Sequence, residues 1–139
     1  MTPSPDLSAT ISVPARLMDV RRLAEHLRLA CAAAAVDDMT AFDCELALVE
    51  AANNVVEHGY ADRGTGDLTL LVQVGEDFVR MELLDRGTPV PRGLLEQFKT
   101  VPLEATEGRG TSIIQACVDV VDYTSEDGVN RLVMIKRLA

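Results

Sequence analysis

Hydrophobic positions along the chain switch repeatedly between a strand-like and a helical period. Residues 9–13 (ATISV) form a short strand-like run that stops at Pro14. Over residues 15–35, apolar positions at Leu17, Val20, Leu23, Leu27 and 29–35, with arginines on the other side, predict a helix. Asp37, Asp38 and Thr40 interrupt it with helix-capping chemistry. A second helix is predicted over 41–58, closed by Gly59 as a C-cap. Leu46, Ala47, Leu48, Val49, Ala51, Ala52, Val55 and Val56 leave it apolar on most sides, so it is expected to be buried.

After a turn at 62–66 (DRGTG), residues 68–74 and 78–84 read as a β-hairpin joined across Gly75, Glu76 and Asp77. Residues 85–93 (DRGTPVPRG) carry turn chemistry, 94–98 suggest a short helix, and 99–107 lack periodicity, as in a mobile loop. Glycines at 108 and 110 lead into a third helix over 111–118, followed by strands at 118–125 and 132–136 joined across Gly128. The order is strand, helix, helix, two strands, helix, two strands. Consecutive strand pairs predict an α+β two-layer sandwich, a mixed and mostly antiparallel sheet with helices on one face. Its 139 residues suit one domain, expected over 9–139 behind a flexible tail at 1–8.

Composition sharpens this picture. Hydrophobic residues reach 47% with only 4% aromatics and no Trp, so the core must be aliphatic. A net charge of -9 argues against a direct nucleic-acid partner, because phosphate backbones would repel the chain. It does not argue against a nucleotide, whose phosphates are held by local N–H groups and a metal ion. Cys31, Cys44 and Cys117 are widely spaced, which gives no zinc pattern and fits a reducing compartment. The N-terminus lacks a signal-peptide pattern, and no apolar run reaches the length of a membrane span. A cytoplasmic protein is expected.

Four groups of residues could carry chemistry. Glu50, Asn54 and His58 recur every fourth residue, which puts a carboxylate, an amide and an imidazole on one stripe of a helix that is otherwise apolar. Such a stripe is either a solvated edge or the wall of a site, where the carboxylate suits a general base and the amide oxygen suits magnesium. Asp85 follows an apolar strand and precedes Arg86 and Gly87. That is either an ordinary turn or a carboxylate that accepts from a purine amino group, with a glycine allowing close approach. Gly108, Arg109, Gly110 and Thr111 open a helix whose free N–H groups could hold an anion, although no Walker A sequence is present. Arg21 and Arg22 are either solvated or available to a partner.

In this order and spacing, the blocks resemble the N, G1 and G2 boxes of the gyrase, histidine-kinase and MutL-type ATPases, the Bergerat or GHKL fold. The forms EAANNVVEHGY, LLDRGTPVP and GRGTSIIQACVDVVDY look most like anti-sigma-factor serine/threonine kinases of the RsbW and SpoIIAB type, and the likeness spans about residues 9–138. The resemblance implies ATP and magnesium (Mg2+) as ligands. Glu50 would be the general base, Asn54 the magnesium ligand, and His58 a residue near the phosphates. Asp85 would read the adenine amino group beside Gly87. Gly108, Arg109, Gly110 and Thr111 would cradle phosphates, and 88–107 would form the ATP lid. It further implies two protein partners, a small STAS-domain antagonist that receives phosphate on a hydroxyl and a sigma factor. A homodimer is also implied, with Arg21 or Arg22 at a partner surface. At this length no phosphoacceptor-histidine domain is expected. One departure stands out: Val129-Asn130-Arg131 lies where relatives carry threonines, so a hydroxyl contact on the adenine side would be missing.

Overall fold

A computed structural model describes residues 7–60, 66–89 and 109–138. The first strand, β1 (Leu7–Pro14), starts ahead of the expected Ala9. Helix α1 (Leu17–Ala33) and helix α2 (Asp38–Asn54) follow, and α2 continues into a π-turn, Val55–Gly59. Strands β2 (Asp67–Val74) and β3 (Phe78–Asp85) form the predicted hairpin. Helix α3 (Arg109–Cys117) and strands β4 (Val120–Glu126) and β5 (Val129–Arg137) complete the order.

The five strands among the described residues lie in the order β1-β2-β3-β5-β4, and every neighbouring pair is antiparallel. The expected mixed pattern therefore resolves to a wholly antiparallel sheet among the described residues. Alternation decides its faces. Leu70, Val72, Met81, Leu83 and Met134 point to the helical layer and are fully or nearly buried against Leu23, Leu27, Leu48 and Ile114. The opposite face mixes Leu71, Leu84, Val133 and Ile135 with a polar cluster in which Arg80 bridges Gln73 and Glu82, and Glu82 also pairs with Arg131. Among the described residues, all helices pack on the first of these faces.

Local chemistry sets the element ends. Asp37 caps α2, accepting from the Thr40 N–H at 3.1 Å and the Thr40 hydroxyl at 2.6 Å. At the other end of α1, the Val36 N–H reaches the Cys31 carbonyl at 2.9 Å and the Ala35 N–H reaches Ala32 at 3.1 Å, a Schellman closure. Ala35 takes its left-handed position, φ 58°, which ends the helix before the predicted residue 35. Asp127 and Gly128, at φ 54° and 79°, make the two-residue turn between β4 and β5.

The direction of each element gathers the candidate residues. β1 and β3 end, and β5 begins, at one end of the sheet, because Pro14 pairs with Asp67 and Asp85 with Asn130. Helix α1 starts from that end and α2 returns to it. Helix α3 leads into β4 at the far end, so its N-terminus also lies at the near end. The expected helix at 94–98, the loop at 99–107, most of the lid at 88–107 and most of the tail at 1–8 lie outside the described residues. Among those described, no helix is long and apolar enough to cross a membrane.

Candidate nucleotide site

The site is organised around Asp85, the last residue of β3, which is 6% exposed. Burying a carboxylate in this way requires donors. The Gly87 N–H donates to its Oδ1 at 2.9 Å and the Asn130 amide donates to the same oxygen at 2.8 Å. Burial pushes the Asp85 carboxyl above the ordinary carboxylate range, and these two donors oppose that shift. Both bonds fall on Oδ1; among the described residues none falls on Oδ2.

The π-turn brings the end of α2 against this carboxylate. The Thr88 N–H donates to the Gly59 carbonyl at 2.8 Å, satisfying a helix-end carbonyl. A Cβ added at Gly87 would lie 2.5 Å from that carbonyl oxygen and 2.7 Å from its carbon. The glycine is therefore required by the protein's own backbone approach, where the sequence suggested approach by a ligand. Gly59 plays a different part from the expected C-cap. Its φ is not left-handed, and an added Cβ would meet nothing nearer than 3.5 Å. Tyr60 completes the junction, donating its hydroxyl to the Asp67 carbonyl at 3.1 Å and accepting from the Arg86 N–H at 2.8 Å.

Of the predicted stripe, Glu50 and Asn54 are half-buried on α2, and neither has a hydrogen-bond or ion-pair partner among the described residues. His58 lies in the π-turn and is exposed, so the uniform α-helical stripe breaks at its third member. Arg109, Gly110 and Thr111 form the first turn of α3, while Gly108 lies outside the described residues. Among the described residues no three His, Cys, Asp or Glu side chains converge on a metal position. A magnesium ion at Asn54 would therefore be completed by phosphate oxygens and water, the usual manner for this ion in phosphoryl-transfer sites. A half-buried amide with no partner among the described residues fits that role.

Arg21 and Arg22 are both exposed at the start of α1, but they differ. Asp19, buried at 6% exposure, holds Arg16 at 2.7 Å and Arg22 at 3.3 Å. The Arg16 guanidinium keeps the Asp19 carboxyl below its usual range. Arg21 has no such pairing among the described residues. Sequence reasoning overlooked Asp19, although the spacing Arg16, Asp19, Arg22 signals ion pairs on one helix face. It also overlooked Tyr60, and it treated Asn130 only as a missing hydroxyl.

A cavity of about 410 Å³ adjoins Asp85, lined by Tyr60, Gly66, Asp67, Thr69, Leu84, Arg86 and Val129. Thr69 and Leu84 are cross-strand partners on the sheet face away from the helices, so this cavity lies on the far side of Asp85 from Glu50 and Asn54.

Comparison with known proteins identifies this arrangement. The histidine kinase-like ATPase domain matches residues 13–136. The chain belongs to that family. It is 27% identical over 100 residues to an anti-sigma F factor of Clostridium beijerinckii, covering 68% of each chain. It is 29% identical over 105 residues to the serine-protein kinase RsbW of Oceanobacillus iheyensis, covering 70% of this chain and 65% of that one. Among solved structures, the RsbU and RsbW domains of a Mycobacterium tuberculosis protein superpose with a TM-score of 0.70 at 23% identity, covering 97% of this chain and 33% of the other. This histidine kinase-like ATPase domain thus spans about two thirds of the lengths of the two curated relatives and a third of the solved chain.

Proposed function

We propose that this histidine kinase-like ATPase domain is an ATP-dependent serine/threonine protein kinase that acts as an anti-sigma factor in a partner switch. The observation that carries the reading is the convergence at one end of the sheet. A buried, clamped Asp85 there shares the end of α2 with Glu50 and Asn54, two half-buried polar side chains without partners among the described residues. The relatives' names, anti-sigma F factor and serine-protein kinase, give the chemical direction.

In this reading Asp85 accepts a hydrogen bond from the adenine amino group through Oδ2. The N–H groups that open α3, at Arg109, Gly110 and Thr111, together with Gly108, hold the phosphates, and the helix dipole favours their charge. His58, exposed at the end of the same helix as Asn54, contacts the phosphates from the rim. Asn54 supplies an oxygen to magnesium, which when bound offsets phosphate charge during transfer. Glu50 takes the proton of the incoming serine or threonine hydroxyl. The hydroxyl belongs to a small STAS-domain antagonist, and the competing partner is a sigma factor. Arg21, which has no ion pair among the described residues, contacts these partners, with Arg22 held beside it by Asp19. The protein works as a homodimer in the cytoplasm.

The test is phosphate transfer from magnesium-ATP to such an antagonist, alongside calorimetric binding of ATP. Glu50→Gln should keep nucleotide binding and slow transfer by about 10²–10⁴-fold, the usual contribution of a general base. If the wild-type protein binds ATP but transfers nothing to the antagonist, the kinase reading fails and an ATP-binding switch without turnover takes its place.

A further inference from the structure

Neither the resemblance nor the glycine-and-carboxylate pattern accounts for the buried amide of Asn130. It sits at the start of β5, directly across from Asp85, and is 2% exposed. Its Nδ2 donates to Asp85 Oδ1 at 2.8 Å and to the Gly87 carbonyl at 2.9 Å, which uses both amide hydrogens. Its Oδ1 accepts from the Ser125 hydroxyl at 2.7 Å. This fixes the amide's orientation. A flipped amide would set Oδ1 against the Asp85 carboxylate and the Gly87 carbonyl, acceptor against acceptor.

The consequence falls on Asp85. The Gly87 N–H and the Asn130 amide both hold Oδ1, so the carboxylate is anchored through one oxygen while Oδ2 keeps its acceptor capacity. A single hydroxyl, such as a threonine would bring, has one hydrogen and could not serve both Asp85 and the Gly87 carbonyl. We infer that Asn130 is a positioning residue for base recognition, holding Asp85 by Oδ1 so that Oδ2 meets the exocyclic amino group of a 6-aminopurine and disfavours a 6-oxopurine. Its own amide hydrogens are already used, so Asn130 acts through Asp85 and not by touching the base. The inference rests on the reading of Asp85 as the base contact.

Its test compares ATP with inosine triphosphate, which carries oxygen in place of the amino group. Calorimetry with magnesium present would measure both nucleotides on the wild-type protein and on Asn130→Leu, Ser125→Ala, Asp85→Asn and the Asp85→Asn/Asn130→Leu pair. The wild type should prefer ATP by roughly 10–100-fold, the range for a hydrogen bond to a charged group. Asn130→Leu should lower ATP affinity about tenfold or more and leave inosine triphosphate within about twofold, collapsing the preference. Ser125→Ala alters an exposed side chain and frees the amide to turn, so it should move the preference the same way by a smaller factor even if Asn130→Leu folds poorly. In the Asp85→Asn background, Asn130→Leu should add no further loss. Equal weakening of both nucleotides, or an undiminished Asn130 effect without the Asp85 carboxylate, would overturn the inference and leave Asp85 as the base contact. A wild-type protein that binds neither nucleotide, or binds both equally, removes the base-contact reading itself and this inference with it.

Discussion

Asp85 carries its charge in a place that resists it. Burial raises its carboxyl above the ordinary value of 3.8, with the Asn130 amide and the Gly87 N–H pulling it back. The folded carboxyl therefore titrates above the unfolded one. Its contribution to stability is whole below that ordinary value and is lost as pH rises through the folded pKa. At neutral pH the buried charge is a net cost. Asp85→Asn should raise the Tm at pH 7, with the gain fading toward pH 3, while weakening ATP binding by roughly 10–100-fold; thermal melts across that range and calorimetry check both. Gly87 and Gly59 make a paired prediction. Gly87→Ala drives a methyl to 2.5 Å from the Gly59 carbonyl and should cost about 1–3 kcal/mol in chemical denaturation. Gly59→Ala meets only ordinary contacts at 3.5 Å and should stay within about 0.5 kcal/mol of wild type. Asp85 and Gly87 were legible because they adjoin each other in a recognisable block. Asn130 was not, because its partners lie on a different strand and only the β3–β5 register brings them together.

The helices show how boundaries escape the sequence. Helix α1 ends in a Schellman closure with Ala35 at the position that normally calls for glycine, φ 58°. An alanine there gives no stop signal, so the apolar run suggested helix through residue 35. The strain is real, and Ala35→Gly should stabilise the protein by roughly 0.5–1 kcal/mol, read from the urea midpoint at unchanged slope. A loss of stability on that change would contradict the account. The π-turn at Val55–Gly59 was equally illegible, since hydrophobic periodicity does not distinguish a widened last turn from a regular one. By contrast, the Asp37 cap and the hairpin turn at Asp127 and Gly128 are local devices, and the sequence displays them directly.

Across the molecule, element order alone foretold an α+β sandwich with helices on one face, because antiparallel pairing follows from consecutive strands. The thiols test how tightly that helical layer closes. Cys31, Cys44 and Cys117 come from α1, α2 and α3 and are all buried. Burial pushes all three thiols up, Cys44 to about 12. At pH 8 none should react with a thiol reagent in the folded protein, and all three should react in denaturant; mass spectrometry of the labelled chain counts them. The same closure reaches into the segment after β3. The Thr88 amide lies outside any regular element, yet it is hydrogen-bonded to the last carbonyl of the turn that ends α2. Its exchange with solvent deuterium is therefore gated by the opening of that helix end, so an amide three residues beyond the strand should report on the stability of α2. Thr88 is thereby fixed to the helix layer as firmly as that helix end itself.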